Sequence, residues 1–197
     1  MTAEVIDHVT LSLPYRPLVW DDLNQLQAHD GHRYEILEGC LVVSASPMPS
    51  HQIIAGELFV KLRAARPAGL IVLDTMDIDF GDSVLQPDVM VARASAAKAR
   101  TPRVRPEDVL LAVEVESPSS RRMDRIAKPS VYAAAGIPAY WRVCLDDPDA
   151  PVVVVSSLAG DIYREVATIR AGETVTLEDP FPVEIRPAEL IVQGRGD

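Results

Sequence analysis

Apolar positions along the chain fall into short runs separated by proline, glycine and charged residues, and the period of each run predicts its conformation. Within the first thirty residues Pro14 and Pro17 break the backbone before Trp20, Leu23 and Leu26 recur at helical spacing, which predicts an extended arm followed by a short helix. In RYEILEGCLVVSA two apolar-rich runs flank Glu38-Gly39. Glycine supplies the positive φ of a tight hairpin, so strands are expected at about 33–37 and 40–45. Pro47 and Pro49 interrupt the chain again, and Ser50 can cap a helix running to about Arg66, with Ile53, Ile54, Leu58, Phe59 and Leu62 along its apolar face. Further strands are expected at about 70–78, 84–92 and 109–116. The last of these, VLLAVEVE, opens as a continuous apolar run, the pattern of a strand buried on both faces. A second helix is expected at about 121–135, ending before Gly136. Pro129 lies inside it, so the regular helix either begins near Lys128 or bends there. Strand-like runs return at 139–145, 151–156, 161–168, 174–177 and 183–186. The long apolar strands need covering helices, which predicts one α/β domain (α+β, with a mixed central sheet flanked by helices) over 31–190, preceded by an arm and short helix (1–30) and followed by a polar tail (191–197).

Composition agrees with a packed core and changes the picture mainly through charge. The 197 residues are 48% hydrophobic, and 19 basic against 29 acidic side chains leave a net charge of −10. A polyanion is therefore repelled at long range. The charge is uneven, because residues 93–128 carry nine basic and five acidic side chains and are locally positive. No apolar run is long enough to span a membrane, and the amino end has no basic stretch leading into an apolar one; a cytoplasmic protein is expected. Cys40 and Cys144 each lie in an apolar run and read as two buried thiols. Tyr140 and Trp141 read as packing.

Candidate chemistry is concentrated in carboxylates at apolar strand ends. Asp88 stands in SVLQPDVMVA, and Glu114 and Glu116 stand two apart in LLAVEVES, on one side of their strand. Buried carboxylates need pairing, hydrogen bonds or a metal ion. A divalent cation would relieve their repulsion and leave waters able to attack phosphorus, whereas solvent-facing strand ends are the simpler alternative. The nearby arginines, including Arg121, Arg122 and Arg125, with Lys128, would suit phosphate contacts, or else form a solvated face laced with ion pairs. Glu35 and His51 are further polar candidates, neither decisive alone. No Walker-type or dinucleotide-binding glycine pattern, HExxH, paired CxxC or GxSxG is present.

The ordered segments RYEILEGCLVV, SPMPSHQIIAGEL, LQPDVMVA and LLAVEVESPSSRRMDRIAKPSVYAAAGIPAYWRV closely resemble the Uma-two family of restriction-endonuclease-like proteins, from about residue 15 to about residue 190. The resemblance implies the PD-(D/E)XK nuclease fold and a Mg²⁺- or Mn²⁺-dependent nuclease, acting on DNA as a homodimer, with weak, salt-sensitive binding. It makes Asp88 and Glu114 the metal-binding pair, Glu35 a third acidic ligand, Lys128 the catalytic lysine and His51 the histidine of the SPxxxH-like segment, with Glu116, Arg121, Arg122 and Arg125 as accessory or phosphate-binding groups. Two departures stand out: Glu116 occupies the position of the usual lysine, and Pro129 directly follows Lys128. Rival readings are a catalytically inactive nucleic-acid-binding or structural dimer and a metal-dependent hydrolase of small phosphoesters.

Overall fold

The computed structural model describes residues 13–26, 32–98, 100–147 and 149–191; the remainder of the expected arm and nearly all of the polar tail lie outside them. In chain order the elements are α1 (Trp20–Leu26), β1 (Arg33–Leu37), β2 (Cys40–Ser44), α2 (Pro49–Ala65), β3 (Leu70–Asp74), β4 (Ile78–Asp79), β5 (Val84–Leu85), β6 (Val89–Arg93), β7 (Val109–Val115), α3 (Lys128–Ala134), β8 (Ala139–Cys144), β9 (Val152–Ala159), β10 (Ile162–Ile169), β11 (Val175–Leu177) and β12 (Val183–Ile185). The main sheet has the order β10-β9-β8-β7-β6-β3, a smaller one has β2-β1-β5-β4, and β11 and β12 form a hairpin. Every neighbouring pair in the main sheet is antiparallel except β7 and β8, which run parallel with Leu111 opposite Ala139 and Val115 opposite Val143. A parallel pair needs a crossover connection, and α3 with the turn before it supplies that crossover.

The alternation of side chains along the main strands divides the core. Val89, Val91, Val113, Val115 and Trp141 pack with Ile54, Leu58 and Leu62 of α2. Met90, Ala92, Ala112 and Tyr140 pack on the opposite face with Tyr132 of α3 and Ile137. Strand β7 is thus buried on both faces, as its continuous apolar run predicts. Full burial of a side chain such as Leu58 stabilises the fold by roughly 1.5–3 kcal/mol. In the smaller sheet Ile36 and Val84 face α1, while Ile78 and Leu85 join the core beneath α3.

The β1–β2 hairpin turns through Glu38 and Gly39, both with positive φ (49° and 74°). A Cβ on Gly39 would lie 2.6 Å from Pro17 Cβ, so close approach of the arm demands glycine as much as the dihedral does. Two expected strands are split. The run at 70–78 stops at Asp74, where Thr75 has a φ of 46°. The run at 84–92 breaks over Gln86–Asp88, since Pro87 has no N–H for a ladder, and the chain passes there from the smaller sheet (β5) into the main one (β6). Cys40 is exposed, contrary to the expected pair of buried thiols, because β2 is an edge strand; Cys144 is buried, and both are free. No helix among the described residues is long and apolar enough to cross a membrane.

Candidate active site at the junction of the two sheets

Five elements bring ionisable groups to the place where the two sheets meet. On β1, Tyr34 and Ile36 belong to the α1 side, so the alternate residues Arg33 and Glu35 point the other way. Asp88 stands at the switch between sheets. On β7, Glu114 shares the parity of Ala112 and therefore the α3 face. His51 lies in the first turn of α2, after the Pro47 and Pro49 break.

The last two groups, Asp124 and Lys128, depend on a local distortion. Pro129 has no N–H to return to a carbonyl one turn earlier, which disfavours a regular helix through it. The turn ahead of it widens: Met123–Ala127 is π-helical, the Lys128 N–H reaches the carbonyl of Met123, and regular α-helix begins at Lys128. The Tyr140 hydroxyl donates to the Asp124 carbonyl at 2.6 Å, replacing the missing helical donor. Pro129 therefore does not carry Lys128 away from the site. Asp124, Lys128 and Tyr132, spaced four apart, all reach the cluster.

The charged groups are deeply buried: Glu35, Asp88, Glu114, Asp124 and Lys128 are each 1–3% exposed. Lys128 Nζ lies 3.0 Å from Glu114 Oε1, 3.1 Å from Glu35 Oε1 and 3.8 Å from Asp124 Oδ1. Glu114 Oε1 also accepts the Tyr132 hydroxyl (2.8 Å), and Glu35 Oε1 accepts the Gln86 N–H (2.8 Å). Asp88 Oδ2 accepts the Val115 N–H (2.8 Å) and lies 3.1 Å from His51 Nε2, while Oδ1 faces Arg33 Nη1 at 2.9 Å without hydrogen-bond geometry.

These neighbours separate the carboxylates by affinity for protons. Burial alone would raise the pKa of Asp88, but His51, Arg33 and the Val115 N–H outweigh it and hold the group at about 2. Burial raises Asp124 to about 6, with Asp88 and Glu35 adding to the effect and Lys128 only partly opposing it. Glu114 is also raised, chiefly by burial, against the attraction of Lys128. Lys128 itself moves upward: desolvation disfavours its charge, but Glu114, Glu35 and Asp124 prevail, so it remains an ammonium.

The sequence candidates separate accordingly. Glu35, His51, Asp88, Glu114 and Lys128 converge and line one cavity of about 520 Å³. Glu116, Arg121, Arg122 and Arg125 do not line it. Glu116 lies just past β7 and is held by Arg142 and by three hydrogen bonds from Arg125, whose Nη2 is 2.7 Å away. Arg121 pairs with Asp146, and Arg122 is exposed. Sequence reasoning missed Arg33, Asp124 and Tyr132. Each had a readable signal: Arg33 is two residues from Glu35 in one strand, and Asp124 and Tyr132 are four residues either side of Lys128.

Four buried carboxylates face two fixed cations, Arg33 and Lys128, and the Oδ1 atoms of Asp88 and Asp124 are buried without a hydrogen bond. This surplus of hard oxygen donors fits Mg²⁺ or Mn²⁺ in chemistry. Among the described residues no three His, Cys, Asp or Glu side chains stand in metal-holding geometry. Lys128, set between Glu35 and Glu114, already bonds one oxygen of each.

Residues 20–191 match the model of the Uma2 family, described as "Putative restriction endonuclease". The chain belongs to the Uma2 family. Its fold resembles the crystal structure of a protein from Anabaena variabilis ATCC 29413 described as a "putative nuclease belonging to DUF820", with a TM-score of 0.62 and 17% identity over 83% of this chain and 90% of that one. No curated protein matches. Within this Uma2 chain the matched span includes every group of the buried cluster.

Proposed function

We propose that the protein hydrolyses phosphodiester bonds of DNA with the help of a divalent cation. The observation that carries this reading is the convergence of four buried carboxylates, one fixed lysine and one fixed arginine in the lining of one cavity. Asp88 and Glu114, with Glu35 beside them, would hold Mg²⁺ or Mn²⁺, and the ion when bound supplies Lewis acidity to the phosphoryl group and lowers the pKa of water. Asp88 is suited to hold a cation because it stays ionised; His51, Arg33 and the Val115 N–H fix its orientation. Lys128 stays protonated and supplies positive charge where the phosphorus-centred transition state gains negative charge. Tyr132 fixes the Glu114 carboxylate. A raised carboxyl pKa suits Asp124 to accept the proton released by the attacking water. One phosphorus–oxygen bond forms to the water oxygen and one breaks to the leaving deoxyribose oxygen. The products are a phosphate monoester and an alcohol, the leaving oxygen taking its proton from the Asp124 carboxyl or from solvent and the second proton of the water remaining on the phosphate or passing to solvent.

The test is incubation of single-stranded and double-stranded circular DNA with Mg²⁺ or Mn²⁺. Linear or nicked product is expected from the natural chain and none from Asp88→Ala or Lys128→Ala. Equal cleavage by the natural chain and Asp88→Ala would sink the assignment.

A further inference from the structure

The walls of the cleft say what form of phosphodiester reaches the buried groups. The lysine and arginine side chains of the lining are Arg33 and Lys128, and both are committed to buried carboxylates, as His51 is to Asp88. Of the arginines that make residues 93–128 positive, four pair outside the cleft, Arg103 with Asp79, Arg105 with Glu107, Arg121 with Asp146 and Arg125 with Glu116, and Arg93, Arg100 and Arg122 do not line it. The cleft therefore lacks, among the described residues, the row of available cations that grips successive phosphates of a duplex. Its wall surface is mostly apolar, with Val43, Pro47 and Met48 from the end of β2 and the segment leading into α2 and Pro118 and Met123 from the segment after β7, interspersed with serine hydroxyls. Val43 and Met48 are 48% and 69% exposed. Apolar walls above an acidic floor suit the face of a base or sugar next to a single phosphate, and a volume of about 520 Å³ lies in the range of small-ligand sites.

Resting on the hydrolase reading above, we propose that the substrate is a short, flexible phosphodiester, one or two nucleotides occupying the cleft at a time, and not a continuous duplex. The nucleoside part packs on the Val43–Met48 wall while the phosphate descends to Asp88, Glu114 and Lys128. The chemistry is the same hydrolysis, giving one phosphate monoester and one alcohol. A duplex would have to expose a strand first, at a cost of a few kcal/mol, or roughly 100-fold in kcat/KM.

The experiment uses the full chain with Mn²⁺ and three substrates: a thymidine dinucleotide, a single-stranded oligonucleotide, and that oligonucleotide annealed to its complement. Cleavage of the first two is expected, with annealing lowering kcat/KM by roughly 100-fold. The slope of log kcat/KM against log salt is expected to be on the order of −1, as for one or two phosphate contacts. Met48→Ala is expected to raise KM for the dinucleotide without changing kcat. A dinucleotide cleaved as well as the oligonucleotide makes the free molecule sufficient as substrate; a strongly favoured oligonucleotide makes it the strand. Preference for the duplex, a slope of about −5 or steeper, or an unchanged KM in Met48→Ala overturns the proposal while leaving phosphodiester hydrolysis standing. Absence of cleavage of all three overturns both.

Discussion

Replacing Asp124 by asparagine is expected to stabilise the protein at neutral pH, although it removes an ion pair. Asp124 lies 3.8 Å from Lys128, but its carboxyl is raised from 3.8 to about 6 because burial and the neighbouring carboxylates outweigh that attraction. The folded chain then binds a proton more tightly than the unfolded one between these two values, so this group's contribution to stability falls as pH rises through that window. At about 1.4 kcal/mol per pH unit, the difference is worth roughly 3 kcal/mol above the folded-state value. For a chain of this size that is about 6–12 °C in melting temperature. The assay is urea unfolding of the natural chain and Asp124→Asn, from about pH 4 to about pH 7, followed by the fluorescence of Trp141, which is fully buried in the core. Subtracting the two curves cancels groups that titrate alike in both, including Asp88, whose stabilising contribution is lost only as pH falls toward about 2. The advantage of the variant is expected to be small near pH 4 and to grow through about pH 6. A difference that stays flat across this window, or a variant less stable at neutral pH, would refute the reasoning that Asp124 is held ionised against its surroundings.

Tyr140→Phe removes the donor to the Asp124 carbonyl and is expected to cost about 1–3 kcal/mol in urea unfolding. Tyr163→Phe, which removes a half-buried hydroxyl that donates to the carbonyl of Ile137, should cost about 0.5–1.5 kcal/mol. Glu116→Lys would restore the lysine position of the usual nuclease motif, but it places a cation against Arg125 and Arg142; a loss of about 3–5 kcal/mol is expected, with no gain in cleavage. Mn²⁺ at about a hundred times its dissociation constant should stabilise the natural chain by about 2.7 kcal/mol in a melting experiment. Asp88→Ala should show little of that gain.

The parts of the site that follow strand parity are legible in the amino-acid sequence. A continuous apolar run makes β7 a doubly buried strand, and parity then forces Glu114 into the core beside Ala112. The hairpin strands and most of α2 are also readable from their turn residues and periodicity, but α2 begins at Pro49 with Met48 at its N-cap and no side-chain cap, so Ser50 lies inside the helix and does not cap it, and Ile53 is exposed where the apolar face is expected. The position of Asp88 is less accessible: Pro87 marks a break, but only the pairing of β5 and β6 with different sheets turns that break into a junction. Asp124 sits among arginines in the sequence and reads as one more solvated charge. Its burial follows from the widened turn before Pro129 and from Tyr140, which is distant in sequence. The locally positive segment misleads for a related reason, since the carboxylates that engage Arg103 and Arg121, Asp79 and Asp146, lie outside it, and Arg125 is held by Glu116 within it.

Strand β10 forms an outer edge of the main sheet, and its register against β9 shifts between Glu165 and Ala167, leaving Val166 60% exposed. A strand from another molecule approaching that edge would meet backbone donors and acceptors out of phase, next to the charges of Arg164 and Glu165. The irregularity thus acts against fibrillar self-association at high concentration, and deleting Val166 would straighten the edge into a template for it.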